Sequence, residues 1–469
     1  MTGPAPSTLF DKIWDAHVVR HLGDDWSLLH VDRHLLHDLS GPVALGALSD
    51  RALPVANPEL AFATPDHAVS SRPGRTGETF PAGARLYREM KAEVTAAQIR
   101  FFDLDEVGQG IVHVTGPELG LVLPGMTVVC ADSHTCTNGG LGALAFGIGT
   151  SECVHALATQ TLRLRRPKTM RIALEGVPGQ GVSAKDIVLH LIRELGVACG
   201  VEHTIEFCGS AVRAMSVESR LTLCNLSVEL GARSGLVAPD EVTFAYLKDR
   251  PYAPAGEAFS KAVAYWRSLR SDEGAIFDAS VEIDVSDIQP TMTWGTSPEH
   301  AIGINDLIPD PAQEPDPARR EGMVKALAYM GLVPNRPLAG TPIDWVFIGS
   351  CANSRLSDLR EAAAVVKDRR VAEGVTAWVV PGSVAVKRAA EAEGLDRAFV
   401  AAGFAWREPG CSMCVAANGE QVPPGARSVS TSNRNFIGRQ GPGARTHLAS
   451  PAMAAAAAVA GVITDARRF

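Results

Sequence analysis

The sequence predicts an α/β protein, and three observations carry that expectation. Short apolar runs such as Thr127-Val128-Val129-Cys130, Trp345-Val346-Phe347-Ile348 and Ala377–Val380 have the length of buried strands. Stretches between such runs carry apolar residues at helical spacing, as Leu86, Met90, Val94, Ala97 and Phe101 do. The 469 residues suffice for two or three domain cores at roughly 100–200 residues each.

Composition narrows the class. Hydrophobic residues make up 46% and charged residues 20%, which is a globular balance rather than a disordered one. A net charge of −8 argues against a general nucleic-acid surface, which needs a basic excess. No run of about 18 apolar residues suggests a membrane span. The first 19 residues lack a basic segment followed by an apolar one, so no signal peptide is expected. Nine cysteines, an odd number without a secretory leader, fit reduced thiols in a cytoplasm.

Taken in order, Leu9–Val19 reads as a helix, Leu28–Val31 as a strand, and Asp32–His37 as a polar segment. Ala63-Thr64-Pro65-Asp66-His67 closes another apolar run; an Asp beside a His orients and charges an imidazole, making it an acid. Residues 68–83 read as a loop and 84–102 as an amphipathic helix. His113 is expected at the end of a short strand. The strand Thr127–Cys130 leads to the loop Ala131-Asp132-Ser133-His134-Thr135. The glycine-rich segment 138–147 then opens a helix to about Leu164. Its glycines suit close backbone approach to a ligand, or amides offered to an anion. Ala145 occupies the third glycine position of a dinucleotide fingerprint, and no acidic partner is evident, so a nicotinamide site is rejected.

From Thr169 the pattern changes, which marks a domain boundary. Met170–Leu174 is a strand, 176–181 a turn, and Ser183–Leu195 a helix with Ser183 as its cap. Asn225 and Glu229 stand at i and i+4, on one expected helical face, which taken alone is more often a solvated face than a site. A strand over Ala279–Val285 and a proline-rich linker over 309–317 precede a last α/β segment beginning near Arg319. Ser450-Pro451 reads as the start of an alanine-rich packing helix.

That last segment carries the chemistry. Cys411 and Cys414 lie in Pro409-Gly410-Cys411-Ser412-Met413-Cys414, and Cys351 lies 60 residues earlier, directly after a strand. Three thiolates suit a metal or an iron–sulfur cluster; structural zinc and electron-transfer clusters take four ligands, so three leave an iron open to Lewis-acid work. A redox pair, or ordinary loop cysteines, remains the bland alternative for the Cys-x-x-Cys alone. Downstream, Arg434 and Arg439 sit in a polar loop suited to carboxylate or phosphate, or to surface ion pairs.

These motifs together resemble the aconitase superfamily: Gly349-Ser350-Cys351-x-Asn353-Ser354, Pro409-Gly410-Cys411-x-x-Cys414, Asp132-Ser133-His134-Thr135 and Ser432-Asn433-Arg434-Asn435-Phe436-x-Gly438-Arg439. The likeness runs end to end and is nearest the bacterial isopropylmalate isomerase branch, through Gln109–Val114, Phe146–Ser151, Thr293–Thr296, Arg439–Gly441 and Ser450–Ala458. The resemblance implies a three-domain α/β/α core (1–168, 169–288, 289–469) around one [4Fe–4S] cluster held by Cys351, Cys411 and Cys414. Asp66 and His67 match the pair that protonates the departing hydroxyl. His113 with Asp132, and His134 with Glu229, match its paired acid and orienting groups. His37 and Ser133 match substrate or water contacts, Asn225 and Asn433 groups that polarise bound water or sulfur, and Arg434 and Arg439 carboxylate holders.

The resemblance also implies dehydration of a 2-hydroxy acid to an alkene and rehydration with the other regiochemistry, as between 2- and 3-isopropylmalate in leucine biosynthesis. A separate small subunit is expected to supply the swivel domain, with its serine base and further arginines. The chain departs from the branch at Ala352, where threonine is common, at Cys136-Thr137-Asn138-Gly139-Gly140, where Ala-Thr-His-Gly-Ala or a near variant is common, and at Pro65 and Ala68. Another malate-type acid, such as citramalate or homocitrate, is therefore an alternative substrate. A cluster-free RNA-binding protein and a simple zinc protein are the alternatives from other classes.

Overall fold

The computed structural model describes residues 5–469, so the first four residues of the stretch read for a leader lie outside it. The chain forms two compact units. The first comprises residues through Ala68, Pro81–Val177 and Ala198–Val285; the second comprises Val69–Phe80, Pro178–Val197 and Ser286–Phe469.

The first unit is built on three sheets. The central one is parallel, ordered Arg100–Phe101, Ala61–Thr64, Arg33–His37, Thr127–Cys130, Leu144–Gly147. Ala61–Thr64 and Thr127–Cys130 are buried along their whole length, as strands covered on both faces must be. A second parallel sheet runs Ser234–Val237, His203–Cys208, Lys168–Glu175, Ala279–Asp284. The third is an antiparallel trio of Val18–Gly23, Trp26–His30 and Thr161–Arg165.

Several expected elements are different here. The first helix stops at His17, and Val18–Gly23 turns back on Trp26–His30 through Asp24 and Asp25, both left-handed (φ 47° and 63°) as a tight hairpin requires. The "polar segment" 32–37 is the strand Arg33–His37, whose polar residues hid its role. The amphipathic helix spans Pro81–Ala96; Gln98 (φ 58°) ends it, and Arg100–Phe101 joins the sheet edge.

His113 lies in the first turn of helix Val112–Leu119, not at the end of a strand. The Asp66 carboxylate accepts from Val112 N (2.9 Å) and opens that helix, while Ile111-Val112 mimics a strand in sequence. The long helix expected to Leu164 is instead a 3-10 segment Ser133–Leu141, a strand Leu144–Gly147, a helix Thr150–Thr159 and a strand Thr161–Arg165. Left-handed Gln160 breaks it, and the alternation Thr-Leu-Arg-Leu-Arg is a strand pattern. At Asn225 an α-helix gives way to the 3-10 turn Leu226–Leu230, so Asn225 and Glu229 do not share one continuous helical face.

The glycine-rich segment serves packing. A Cβ on Gly139 would stand 1.7 Å from Gly235 O, and one on Gly140 2.7 Å from Leu221 N. These glycines admit backbone of the same unit rather than a ligand, and the next α-helix begins only at Thr150.

The second unit is organised by a five-stranded parallel sheet: Ala405–Trp406, Thr376–Val379, Trp345–Ile348, Arg427–Ser430, Arg445–Leu448. Helix Ala184–Leu195 begins on a capping box, with Ser183 Oγ accepting from Asp186 N and Asp186 reaching back to Ser183 N. Phe347, Val380, Met413, Cys414 and Val422 pack together, with Trp345 and Trp378 against them, so the cysteine loop is anchored in core.

Candidate active-site residues and cluster ligands

Both units use one rule of parallel sheets: side chains with chemistry stand just past strand C-termini. In the first unit His37 ends one strand, Asp66 and His67 follow Thr64, and Asp132, Ser133 and His134 follow Cys130. In the second, Cys351 follows Ile348, Asn433 and Arg434 follow Ser430, and Cys411 and Cys414 follow Trp406.

The first unit gathers a chain of imidazoles and carboxylates. His67 Nδ1 is 2.5 Å from Asp66 Oδ1, and its Nε2 is 3.5 Å from Asp132 Oδ2. With a carboxylate at each nitrogen, the doubly protonated ring is satisfied on both sides, the arrangement of an acid with a proton to give. Asp132 Oδ1 lies 3.3 Å from His113 Nε2, and His134 Nε2 lies 3.1 Å from Glu229 Oε1. Burial works to raise the Asp132 carboxyl, but hydrogen bonds from His113, His134 and His67 pull it well below the usual range. Burial raises Asp66 as well, yet His67 outweighs it and the net shift is downward. Ser133 Oγ is 3.3 Å from His134 Nδ1. Asn225 Nδ2 donates to Thr137 Oγ1 (2.7 Å), which ties it to the segment carrying His134.

The His37 ring lies tilted beside that of His67, with centroids 4.3 Å apart. Burial first, and then the His67 charge, lower His37 to about 4, so it is neutral near pH 7 and its Nε2 sits between Ser40 Oγ and Ala131 O. The neighbouring Asp38, which sequence reasoning passed over, is fully buried. Its Oδ1 accepts from Asp66 N (3.2 Å) and His67 N (2.9 Å), and its Oδ2 from Ala68 N (3.0 Å). Asp38 thus clamps the backbone beneath the acid pair. Ligand atoms of His37, Asp38, Asp66 and His67 lie within 4.8 Å of one another, but both Asp38 oxygens are committed to backbone amides and both Asp66 oxygens to His67 and Val112.

The second unit brings the cysteines under shared control. Cys351, Cys411 and Cys414 are buried. The Asn433 amide joins two of them: Nδ2 donates to Cys351 Sγ (3.3 Å) and Oδ1 accepts from Cys414 Sγ (3.6 Å). Ser350 (φ 84°) and Ser412 (φ 47°) are non-glycine residues in the left-handed region, beside Cys351 and between Cys411 and Cys414. Such strain costs on the order of 1–3 kcal/mol and persists where surroundings hold it. Ser350 Oγ accepts from Ala352 N (3.2 Å). Ser412 Oγ donates to Glu420 Oε2 (2.6 Å), and Glu420 also accepts from Ser70 Oγ, Ser71 N and Oγ, Asn418 Nδ2 and Arg407 Nη2. Glu420 was not legible in the sequence because Ser70 and Ser71 lie some 350 positions away. Arg434 and Arg439 are half-buried, and the Arg439 guanidinium lies over Phe436 at 5.5 Å.

The cysteine set fits the group that the motifs imply. Its three thiols are buried on two loops and two of them are bridged by the Asn433 amide, a donor set suited to an iron–sulfur group with three protein ligands.

Comparison with known proteins agrees with the motifs. The chain is 64% identical over 460 residues to the protein named 3-isopropylmalate dehydratase large subunit 1 of Bradyrhizobium diazoefficiens (strain JCM 10833), covering 98% of this chain and 96% of that one. Among solved structures, the holo-form of Thermococcus kodakaraensis aconitase X aligns with 90% of this chain and 86% of its own, at 11% identity and a TM-score of 0.46. The model of the aconitase family (aconitate hydratase) matches residues 11–461, a span that contains every residue discussed above from His37 to Arg439. The chain belongs to the aconitase family.

Proposed function

We infer that this chain is the large catalytic subunit of an iron–sulfur hydro-lyase that interconverts 2- and 3-isopropylmalate by dehydration and rehydration, in leucine biosynthesis. The observation that carries this is 64% identity over nearly the whole chain to a relative named for that activity. The family implies an iron–sulfur cluster; Cys351, Cys411 and Cys414 are proposed to hold it as [4Fe–4S]. When bound, it supplies Lewis acidity toward the substrate hydroxyl and a carboxylate through an iron that no cysteine ligates.

The chain's own residues do the rest. His67, held between Asp66 and Asp132, gives a proton to the departing hydroxyl. His113 and His134 share Asp132, and Glu229 orients His134. Neutral His37 and Ser133 contact substrate or water, with Asn225 steadying the 133–138 segment. Asn433 aligns two of the thiolates, and Arg434 and Arg439 bind substrate carboxylates bidentately. A proton donor for the departing hydroxyl and a Lewis acid to polarise it are two requirements of this elimination; the third, a base for the substrate C–H, is proposed to come from the partner.

The relative's name marks it as one subunit of a larger enzyme. We propose that this chain likewise works with a separate small subunit carrying the swivel domain and its serine base, and that it does so in the cytoplasm. Three domains, 1–168, 169–288 and 289–469, remain the proposed organisation. No described helix is long and apolar enough to cross a membrane.

The test is activity of the chain reconstituted anaerobically with iron, sulfide and its small subunit. Alkene absorbance is followed on 3-isopropylmalate, citramalate, citrate and homocitrate in parallel. Preference for 3-isopropylmalate is expected. Turnover of a different acid only, with iron and sulfide present, would keep the mechanism and transfer the enzyme to another pathway. Turnover by the chain without its partner would refute the two-subunit proposal.

A further inference from the structure

Lys185 is fully buried in the first turn of helix Ala184–Leu195. Its ammonium donates to Ser432 O (2.6 Å) and Thr431 O (3.3 Å). Among the described residues no carboxylate forms an ion pair with it, and the two acids that act on it, Asp358 and Asp186, are hydrogen-bonded to other groups. Asp186 accepts from Ser183 N and Oγ and from Thr291 N. Asp358 accepts from Asn353 Nδ2 and Arg355 N. A buried charge without a counter-charge is costly, so such residues are rare unless an anion is close.

Burial lowers Lys185 to about 8, and Cys414 and Cys351 are among the groups that oppose this shift. The two carbonyls that Lys185 grips also immediately precede Asn433, whose amide joins those same two sulfurs. One side chain therefore reaches the site twice: as charge, and through the backbone that aims Asn433.

We propose that Lys185 is the buried counter-charge of the three-cysteine site, its ammonium offsetting the net negative charge of a thiolate-bound iron–sulfur group while it positions Asn433. This inference rests on the reading of Cys351, Cys411 and Cys414 as cluster ligands. A nearby positive charge favours the more negative, reduced state of such a group, so removing it makes reduction harder.

The experiment is an EPR-monitored redox titration of the full chain, reconstituted anaerobically with its small subunit, as wild type, K185M and K185R, with iron and acid-labile sulfide assayed on each. At a fixed potential, K185M is expected to lower the ratio of reduced to oxidised cluster at least tenfold, which is about 59 mV for one electron. K185R, which keeps the charge, is expected to stay within a factor of three of wild type. A K185M cluster with wild-type potential and full iron content overturns the proposal while leaving the cluster reading intact. Wild-type chain that takes up no iron and sulfide overturns both. If K185M cannot retain a cluster, retention by K185R supports the counter-charge role, and equal loss in K185R refutes it.

Discussion

Asp38→Asn tests whether the acid pair depends on a residue that touches only backbone. In the wild type, Asp38 Oδ1 serves Asp66 N and His67 N, and Oδ2 serves Ala68 N. Asparagine keeps an acceptor for the first two but sets an amide N–H against the third. A buried donor losing a charged acceptor costs about 1.5–3 kcal/mol. Part of that is returned, because burial and then the Asp66 charge hold Asp38 above the usual carboxylate range and its ionisation is itself costly. The net expectation is about 1–2 kcal/mol lost from stability. The larger effect is on rate. His67 hangs on the clamped 66–68 backbone, its Nε2 3.5 Å from Asp132, and a displacement of about 1 Å in a reacting group costs on the order of 100-fold. D38N should therefore lower kcat about 10- to 100-fold with a smaller change in KM, followed by alkene absorbance, and shift the urea midpoint downward. Wild-type kcat and wild-type midpoint together would refute the clamp.

Two further changes probe other parts of the molecule. His34, whose ring nitrogens are buried without hydrogen-bond partners, is pushed by burial to about 3, against a usual 6.5. A histidine lowered in the folded state contributes stability that is present above its unfolded value and lost as pH falls from 6.5 toward 3. H34L should flatten the acid limb of a urea-midpoint curve over that window; a curve parallel to wild type would count against it. In the second unit, E420Q turns one acceptor into a donor facing the Ser71, Ser412 and Asn418 groups, and so frees left-handed Ser412. Iron release to a chelator should become several-fold faster, at a stability cost of about 1–3 kcal/mol, and an unchanged release rate would sink this account.

What the sequence made legible depended on how far each role reaches along the chain. Cys411 with Cys414, and Asp132 with His134, were readable as candidates because each motif occupies a few consecutive residues. The α/β class was readable from strands such as Thr127–Cys130, buried on every residue. Asp38, Lys185 and Glu420 were not, because each acts on backbone or hydroxyls brought near only by folding: Lys185 and Ser432 are 247 positions apart. The secondary-structure errors have physical causes of the same kind. Polar Arg33–His37 is a strand because its neighbours in the sheet bury it, and Ile111-Val112 opens a helix because a distant carboxylate, Asp66, caps it.

The departures from the isomerase pattern can be weighed from the same geometry. Ala352 is fully buried, and its amide is held by Ser350 Oγ. The Cys136 thiol faces Asn225 O and Ser133 O. Asn138 is more consequential. Its Nδ2 donates to Thr135 O (3.0 Å), and that carbonyl fixes which way the amide points, since the reverse orientation would oppose two oxygens. The second Nδ2 proton then faces His113 Nδ1 at 3.4 Å. A donor at Nδ1 leaves His113 to carry its proton on Nε2, the nitrogen 3.3 Å from Asp132 Oδ1. Asn138 therefore selects the tautomer that turns an N–H toward Asp132, although it touches neither Asp66 nor Asp132. Asn138→Asp would place an acceptor at Nδ1 and draw the proton there, and 15N chemical shifts of the histidine ring should report the exchange of protonated nitrogen. Ring shifts identical to wild type would show that Asp132 alone sets the tautomer, and the departure at this position would then leave the proton path untouched.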